Sequence, residues 1–122
     1  MKVRESGKTL IINGRKLVFD QRVDEMVTLE DRVIIRLLVG DFEIGDPLVG
    51  RNVLAFDKDG NMLWRIPTTG VMVRDPDGSE APEAYFNLRL NSDGETINIA
   101  SPDLTYDLDP ETGKLSGGRV HR

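Results

Sequence analysis

The chain has 122 residues, of which 39% are hydrophobic and 30% are charged, and its net charge is −5. This composition fits one folded domain, residues 1–122, and the negative charge works against binding to a nucleic-acid backbone. Because there is no cysteine, disulfides, thiolate metal sites and cysteine nucleophiles are excluded.

The first third of the chain predicts a hairpin and then an ambiguous segment. Asn13-Gly14 lies between two apolar runs, and this dipeptide favours a two-residue hairpin turn because both positions need positive φ. Further on, Thr28 and Asp31 have the spacing of a helix capping box. The β-branched residues that follow are typical of a strand covered on both faces. We therefore predict a strand at 32–39, with a helix as the alternative.

Two long connections bracket the most regular part of the sequence. A glycine-rich connection spans 40–50, and a second connection with three prolines spans 67–83. Between them, NVLAFDKDGNMLWRIP reads as a strand, a tight acidic turn and a second strand. Loops of this length exceed the usual hairpin connection, so we expect them to carry the function.

The last third continues the pattern of short strands. From 84 to 90 apolar and polar residues alternate, as expected for a half-buried strand. The turns NSDG, SPD and DPETGK then separate three further short strands, and the chain ends in the polar tail GGRVHR. Turn signals at this spacing predict an all-β fold. We expect an antiparallel meander of about eight or nine strands, arranged as a small barrel or as stacked sheets.

Two stretches carry a resemblance. FDKDGNMLWRI and YDLDPETGKL are similar to the strand–turn–strand units of quinoprotein-type propeller blades. The chain holds too few such hairpins to close a propeller, which needs about four blades. The order of motifs from about residue 30 to 115 also resembles a group of small uncharacterised bacterial β proteins. That resemblance implies the fold and no reaction, and it implies no cofactor.

The acidic, glycine-containing turns have the residue types of a calcium-binding loop but not its spacing. In an EF-hand loop the glycine is the sixth residue and a bidentate glutamate is the twelfth. Counted from Asp57, the glycine is fourth and the twelfth residue is Thr68, which is not a bidentate ligand. Aspartate and asparagine also suit turns through side-chain bonds to the backbone. We therefore predict hairpin turns without metal.

The sequence gives only weak indications of catalytic residues. The single histidine, His121, lies next to the C-terminal residue, where a general base would lack a packed position. Asp41, Glu43 and Asp46 form the densest acidic cluster, and paired carboxylates there could serve glycoside hydrolysis. A solvated acidic loop is the commoner explanation. No Gly-Lys-Ser/Thr phosphate loop is present.

Two aromatic residues have open assignments. Trp64 alternates with Met62 and Ile66, which favours packing in the core or between sheets over a ligand platform. Phe42 stands between acids in a glycine-bracketed loop. Such a ring either plugs the interior or contacts a partner.

The functional hypothesis is a non-enzymatic protein-interaction module, an adaptor or a neutralising partner. Its predicted partner surface is Asp41, Phe42, Glu43, Ile44 and Arg74. The alternative is a small carboxylate-dependent hydrolase or sugar-binding protein. We expect no cofactor and no binding to nucleic acid or to a membrane. Exposed strand edges could pair between two copies of the chain, so a homodimer is a second expectation. The chain shows no apolar leader, so the expected location is the cytoplasm.

Overall fold

A computed structural model describes residues 1–120, and it contains thirteen strands and two short 3-10 helices. The helices are Val39–Asp41 and Pro47–Arg51. Within residues 1–120 no helix is long and apolar enough to cross a membrane. The strands are β1 (Val3–Ser6), β2 (Thr9–Ile12), β3 (Arg15–Val18), β4 (Val23–Thr28), β5 (Arg32–Leu37), β6 (Val53–Asp57), β7 (Met62–Arg65), β8 (Met72–Arg74), β9 (Glu80–Pro82), β10 (Phe86–Leu90), β11 (Ile97–Ala100), β12 (Leu104–Leu108) and β13 (Leu115–Val120).

The strands form four antiparallel sheets, and in each sheet they lie in chain order. The sheets are β1-β2-β3, β4-β5-β6-β7, β8-β9 and β10-β11-β12-β13. The all-β antiparallel meander is confirmed, and in residues 1–120 no sheet closes into a barrel. The strands are more numerous than the eight or nine expected, because β1 and β4 were not predicted and β8 and β9 form inside a connection.

The sheet β4-β5-β6-β7 is the middle layer, and strand β5 shows why. Its Val33, Ile35 and Leu37 pack with Leu10 and Ile12 of the N-terminal sheet. Its Ile34 points to the opposite face and packs with residues of the C-terminal sheet. Successive side chains of a strand point to opposite faces, so a nearly continuous apolar run is buried twice.

The ambiguous segment is therefore a strand, as predicted. It ends at Leu37 rather than at residue 39, because the chain turns into the 3-10 helix Val39–Asp41. A helix of the same sequence would leave one of the two apolar faces of the middle layer unfilled.

Each face of the middle sheet has its own core. The core toward the N-terminal sheet comprises Leu10, Ile12, Val23, Val33, Ile35, Leu37, Phe42, Leu54 and Phe56. The core toward the C-terminal sheet comprises Val27, Ile34, Val53, Ala55, Trp64, Ile66, Tyr85, Leu88, Ile97, Ile99 and Leu108. The molecule is thus three β layers with two apolar interfaces.

The predicted Asn-Gly hairpin is confirmed, and it holds the next acidic turn in place. Asn13 and Gly14 have φ of 48° and 87°. The side-chain amide of Asn13 donates from Nδ2 to the Lys58 carbonyl at 2.9 Å, and Arg15 Nη1 donates to the Asp59 carbonyl at 3.0 Å. The first sheet therefore clasps the DKDG turn of the middle sheet.

The two similar acidic hairpins occupy equivalent places in the fold. One is β6-β7 and the other is β12-β13, the third and fourth strands of the two four-stranded sheets. They also contact each other, because the Trp64 indole nitrogen donates to the Pro110 carbonyl at 2.9 Å. Trp64 is 8% exposed, so the prediction that it packs in the core is confirmed.

Two details of the last third differ from the expectation. Tyr85 precedes β10 instead of lying on its solvent face, and its side chain is fully buried with its hydroxyl donating to the Pro67 carbonyl. The last short strand, β13, continues through the polar tail as far as Val120. His121 lies outside the described residues.

Candidate interaction surface

The two long connections meet in space. The Gly45 amide donates to Asp75 Oδ2 at 2.9 Å, which joins the 40–50 segment to the 67–83 segment. A Cβ built on Gly50 would lie 2.3 Å from Pro82 Cβ, so the 3-10 helix Pro47–Arg51 packs directly against β9. Only glycine fits at this contact, and the two connections form one surface.

The first connection is held by two aspartates. The Asp41 carboxylate accepts two hydrogen bonds from the Arg22 guanidinium, at 2.8 and 2.9 Å, and a third from the Arg22 amide at 2.8 Å. These bonds hold the pKa of Asp41 well below its ordinary value. Asp46 caps the following 3-10 helix by accepting from the Leu48 amide at 2.9 Å.

The second connection contains a small hairpin that the sequence did not predict. Strands β8 and β9 pair antiparallel, and the turn between them places Gly78 at φ 89°. Asp77 Oδ1 accepts from the amide and the hydroxyl of Ser79, and these bonds lower the Asp77 pKa. The signal for this hairpin was present as Val71-Met72-Val73 before the turn DPDG.

The joined connections expose apolar side chains. Ile44 is 62% exposed, and Val71 and Met72 are each 50% exposed. Leu48 and Val73 are exposed to a similar degree, 42% and 40%. Between the connections lies a groove of about 250 Å³ whose walls include Val39, Phe42, Glu43, Ile44, Val49 and Asp75.

Acidic side chains rim this surface. A depression of about 520 Å³ is lined by Asp20, Gln21, Asp41, Glu43 and Asp46. The Asp41 charge is already paired with Arg22, whereas no ion pair within residues 1–120 engages Asp20, Glu43 or Asp46. The rim therefore favours a cationic neighbour.

The residues predicted for the partner surface have different fates. Ile44 and Glu43 are exposed at the groove. Arg74 lies on β8 and is exposed, with its guanidinium 3.8 Å from Glu80. Phe42 is 9% exposed and belongs to the core beside the N-terminal sheet. The open question about its ring is settled as packing, because the 3-10 turn directs it inward.

A carboxylate-dependent hydrolase or sugar-binding site would place acids beside an aromatic face such as that of Trp64 or Tyr85. Neither aromatic lines the acidic depression. Trp64 is covered by the turn that contains Gly113, and Tyr85 is buried against Pro67. A hydrolytic acid would need a raised pKa, whereas that of Asp41 is lowered. Within residues 1–120 the structure does not bring these acids and aromatic rings together.

The acidic turns use their carboxylates on their own backbone. Asp57 Oδ1 accepts from the amides of Asp59 and Asn61, both at 2.9 Å. Asp93 Oδ1 accepts from the backbone amides of Glu95 and Thr96, at 2.8 and 2.9 Å. Across residues 1–120, no three His, Cys, Asp or Glu side chains stand close enough together to hold a metal ion. These bonds account for the aspartates as turn residues.

Comparison with known proteins gives one match. The profile of a domain of unknown function, DUF7957, matches residues 1–119. No curated protein and no solved structure matches the chain. The resemblance to propeller-blade hairpins therefore stays a prediction.

Proposed function

Because the chain belongs to the DUF7957 family of domains of unknown function, we propose its role from its surface: it is a non-enzymatic protein-interaction module. Its binding surface is the joined connections, and the partner contributes an extended segment with apolar side chains flanked by lysine or arginine. The observation that carries the proposal is that five exposed apolar side chains lie on two connections that are hydrogen-bonded to each other.

The first support is the apolar content of the surface. Ile44 and Leu48 lie on one connection, and Val71, Met72 and Val73 lie on the other. Single exposed apolar residues are ordinary, but five on two bonded segments are typical of an interaction site. A surrounding of acidic side chains matches the usual anatomy of an apolar centre with a polar rim.

The second support is an open strand edge. Val71 and Glu83 are hydrogen-bonded across the hairpin, as are Asp75 and Ser79. Since bonded and non-bonded pairs alternate in antiparallel strands, the backbone groups of Met72 and Arg74 point away from β9. β8 has no other strand beside it in its sheet. An extended partner segment would add to this edge by main-chain hydrogen bonds.

The third support is charge and rigidity. Asp20, Glu43 and Asp46, which have no ion pair in the part of the chain that the structure describes, would attract the basic flanks of the partner and speed association. The bond between Gly45 and Asp75 and the helix cap at Asp46 fix the surface before binding, which lowers the entropic cost of association. For such a module we keep the cytoplasm as the proposed location.

The test is selection from a random peptide library, followed by affinity measurements on variants. Ile44→Ser with Met72→Ser removes two apolar side chains without touching either core. Val18→Ser with Met62→Ser is the matched control, because these side chains are 69% and 58% exposed but lie outside the joined connections. We expect selected peptides to combine apolar and basic residues, and the first variant to lose at least about tenfold in affinity, or about 1.4 kcal/mol.

Two results would contradict the proposal. One is a library without binders, and the other is a binder that both variants hold equally well. The competing occupant of the β8 edge is a second copy of the chain. A mass by light scattering that doubles at high protein concentration, and that Met72→Ser returns to the monomer, would assign the edge to a homodimer instead.

A further inference from the structure

Two arginines next to the joined connections, Arg51 and Arg65, each donate hydrogen bonds to backbone carbonyls of the other's segment. Arg51 Nε donates to the Ile66 carbonyl at 3.0 Å, and its Nη2 donates to the Arg65 carbonyl at 3.3 Å. In return, Arg65 Nε donates to the Arg51 carbonyl at 2.6 Å. The bonds tie the end of the 3-10 helix Pro47–Arg51 to the end of β7 and place two like charges side by side.

Neither member of this pair has an ion pair with an acidic side chain within residues 1–120. Five other arginines do have one, and these are Arg22, Arg32, Arg36, Arg74 and Arg119. A guanidinium has five N–H donors, and the pair uses three of its ten in the bonds above; within residues 1–120 no other hydrogen bond engages the remaining seven. The acid whose charge acts on Arg65 is Asp46, and one oxygen of that carboxylate already caps the Leu48 amide.

Holding the pair together is electrostatically unfavourable. Both residues are half-buried, and partial burial together with the neighbouring Arg51 charge lowers the pKa of Arg65. Carbonyl oxygens satisfy hydrogen bonds but do not neutralise a cation. An anion placed between the two guanidiniums would remove the repulsion and fill the free donors at once.

We propose that Arg51 and Arg65 together bind an oxyanion, the phosphate or carboxylate group of a small ligand. The planar forks of two arginines match the oxygens of such groups through paired N–H bonds. Because each Nε is anchored to a carbonyl, the remaining N–H groups are already positioned and lose little freedom on binding. The site is separate from the β8 edge and stands or falls without the peptide-binding proposal.

A purely structural role is the alternative, in which the arginines only staple the 3-10 helix to β7. Proton–nitrogen NMR of the arginine Nε groups distinguishes the two roles in the unmodified protein. Sodium phosphate or sodium acetate is added stepwise to the protein in place of sodium chloride, so that the ionic strength stays constant. We expect saturable shifts of the Arg51 and Arg65 Nε signals with one of the two anions and none at Arg74. Which anion saturates at the lower concentration identifies the ligand group.

A variant gives a second readout. We expect phosphate or acetate to raise the melting temperature of the wild type above that in chloride, and Arg65→Gln to lose this rise. Arg89→Gln is the control, since Arg89 is exposed and has no ion pair in the described residues, and it should keep the rise. Equal shifts at Arg51, Arg65 and Arg74, or no shift with either anion, would overturn the proposal even where Arg65→Gln does not fold.

Discussion

Replacing Gly113 with alanine tests the contact between the two four-stranded sheets. Gly113 lies in the DPETG turn at φ 76°, and a Cβ there would lie 2.6 Å from two carbons of the Trp64 ring. Carbon atoms in contact are normally about 3.5–4.0 Å apart, so the overlap is about 1 Å. Trp64 has little room to retreat, because its indole nitrogen is bonded to Pro110 of the same turn.

The expected cost has two parts, and a matched glycine separates them. Gly94 has φ 74° with nothing within 4 Å of an added Cβ. Gly94→Ala should therefore lose only the positive-φ cost, about 1–2 kcal/mol. Gly113→Ala should lose that amount plus about 1–3 kcal/mol for overpacking.

Urea unfolding followed by circular dichroism and by the fluorescence of the single tryptophan gives both values. A difference between the two variants below about 0.5 kcal/mol, the scale of ordinary surface substitutions, would refute the packing of this turn on Trp64.

Four further outcomes are expected. Asn52→Ala should lower the free energy of unfolding by about 2–4 kcal/mol in urea melts. The reason is that the buried side-chain amide of Asn52 is hydrogen-bonded to both the backbone N–H and the C=O of Tyr85. A loss under about 1 kcal/mol would contradict this. Lowered pKa values are found for five turn or loop aspartates: Asp41, Asp57, Asp77, Asp93 and Asp109. Their stabilisation is therefore present above about pH 4 and is lost as the pH falls further. In urea melts at a series of pH values, the free energy of unfolding of Asp93→Asn should fall less steeply below about pH 4 than that of the wild type, and an equally steep fall would argue against this role. Calcium or a chelator should leave the melting temperature within about a degree, whereas ligand linkage at a hundredfold excess would add about 2.7 kcal/mol and move it by several degrees. Gly60→Val should destabilise more than Asp59→Asn in the same melts, since Gly60 has φ 82° and its added Cβ would lie 2.8 Å from Arg15; the reverse order would refute the geometry of this turn.

Phe42 shows how the structure changes an experiment that the sequence would design. From the sequence, Phe42→Ser and Ile44→Ser look equivalent, since both lie in one exposed connection. In the structure Phe42 is a core residue and Ile44 is 62% exposed. Phe42→Ser would lose binding by loosening the fold, so only Ile44 reports on the surface.

The second connection makes the same point. From the sequence, residues 75–80 look replaceable by a short turn, but in the structure Asp75 anchors Gly45 and Glu80 belongs to β9. A deletion there would release the first connection as well. Single substitutions at Met72 or Ile44 leave both anchors in place.

Local physical chemistry in the sequence determined the all-β meander, the strand β5, the Asn-Gly hairpin and the role of the aspartates in turns. These features depend on residues near each other in the chain, such as β-branched runs and side chains that bond their own backbone. The sequence also indicated which two connections to examine, from their length alone.

Only the tertiary structure decided which side chains of those connections face water, and which residues from distant strands meet. Phe42 is buried because a neighbouring sheet offers it an apolar layer, and Arg51 lies beside Arg65 because the 3-10 helix ends where β7 ends. The first fact depends on a contact between sheets and the second on how the 3-10 helix meets β7, and neither is encoded by a run of neighbouring residues. The hairpin β8-β9 has a local signal in Val71-Met72-Val73 and DPDG, but its strands are only three residues long and also pack against the 3-10 helix Pro47–Arg51, which the local signal does not show.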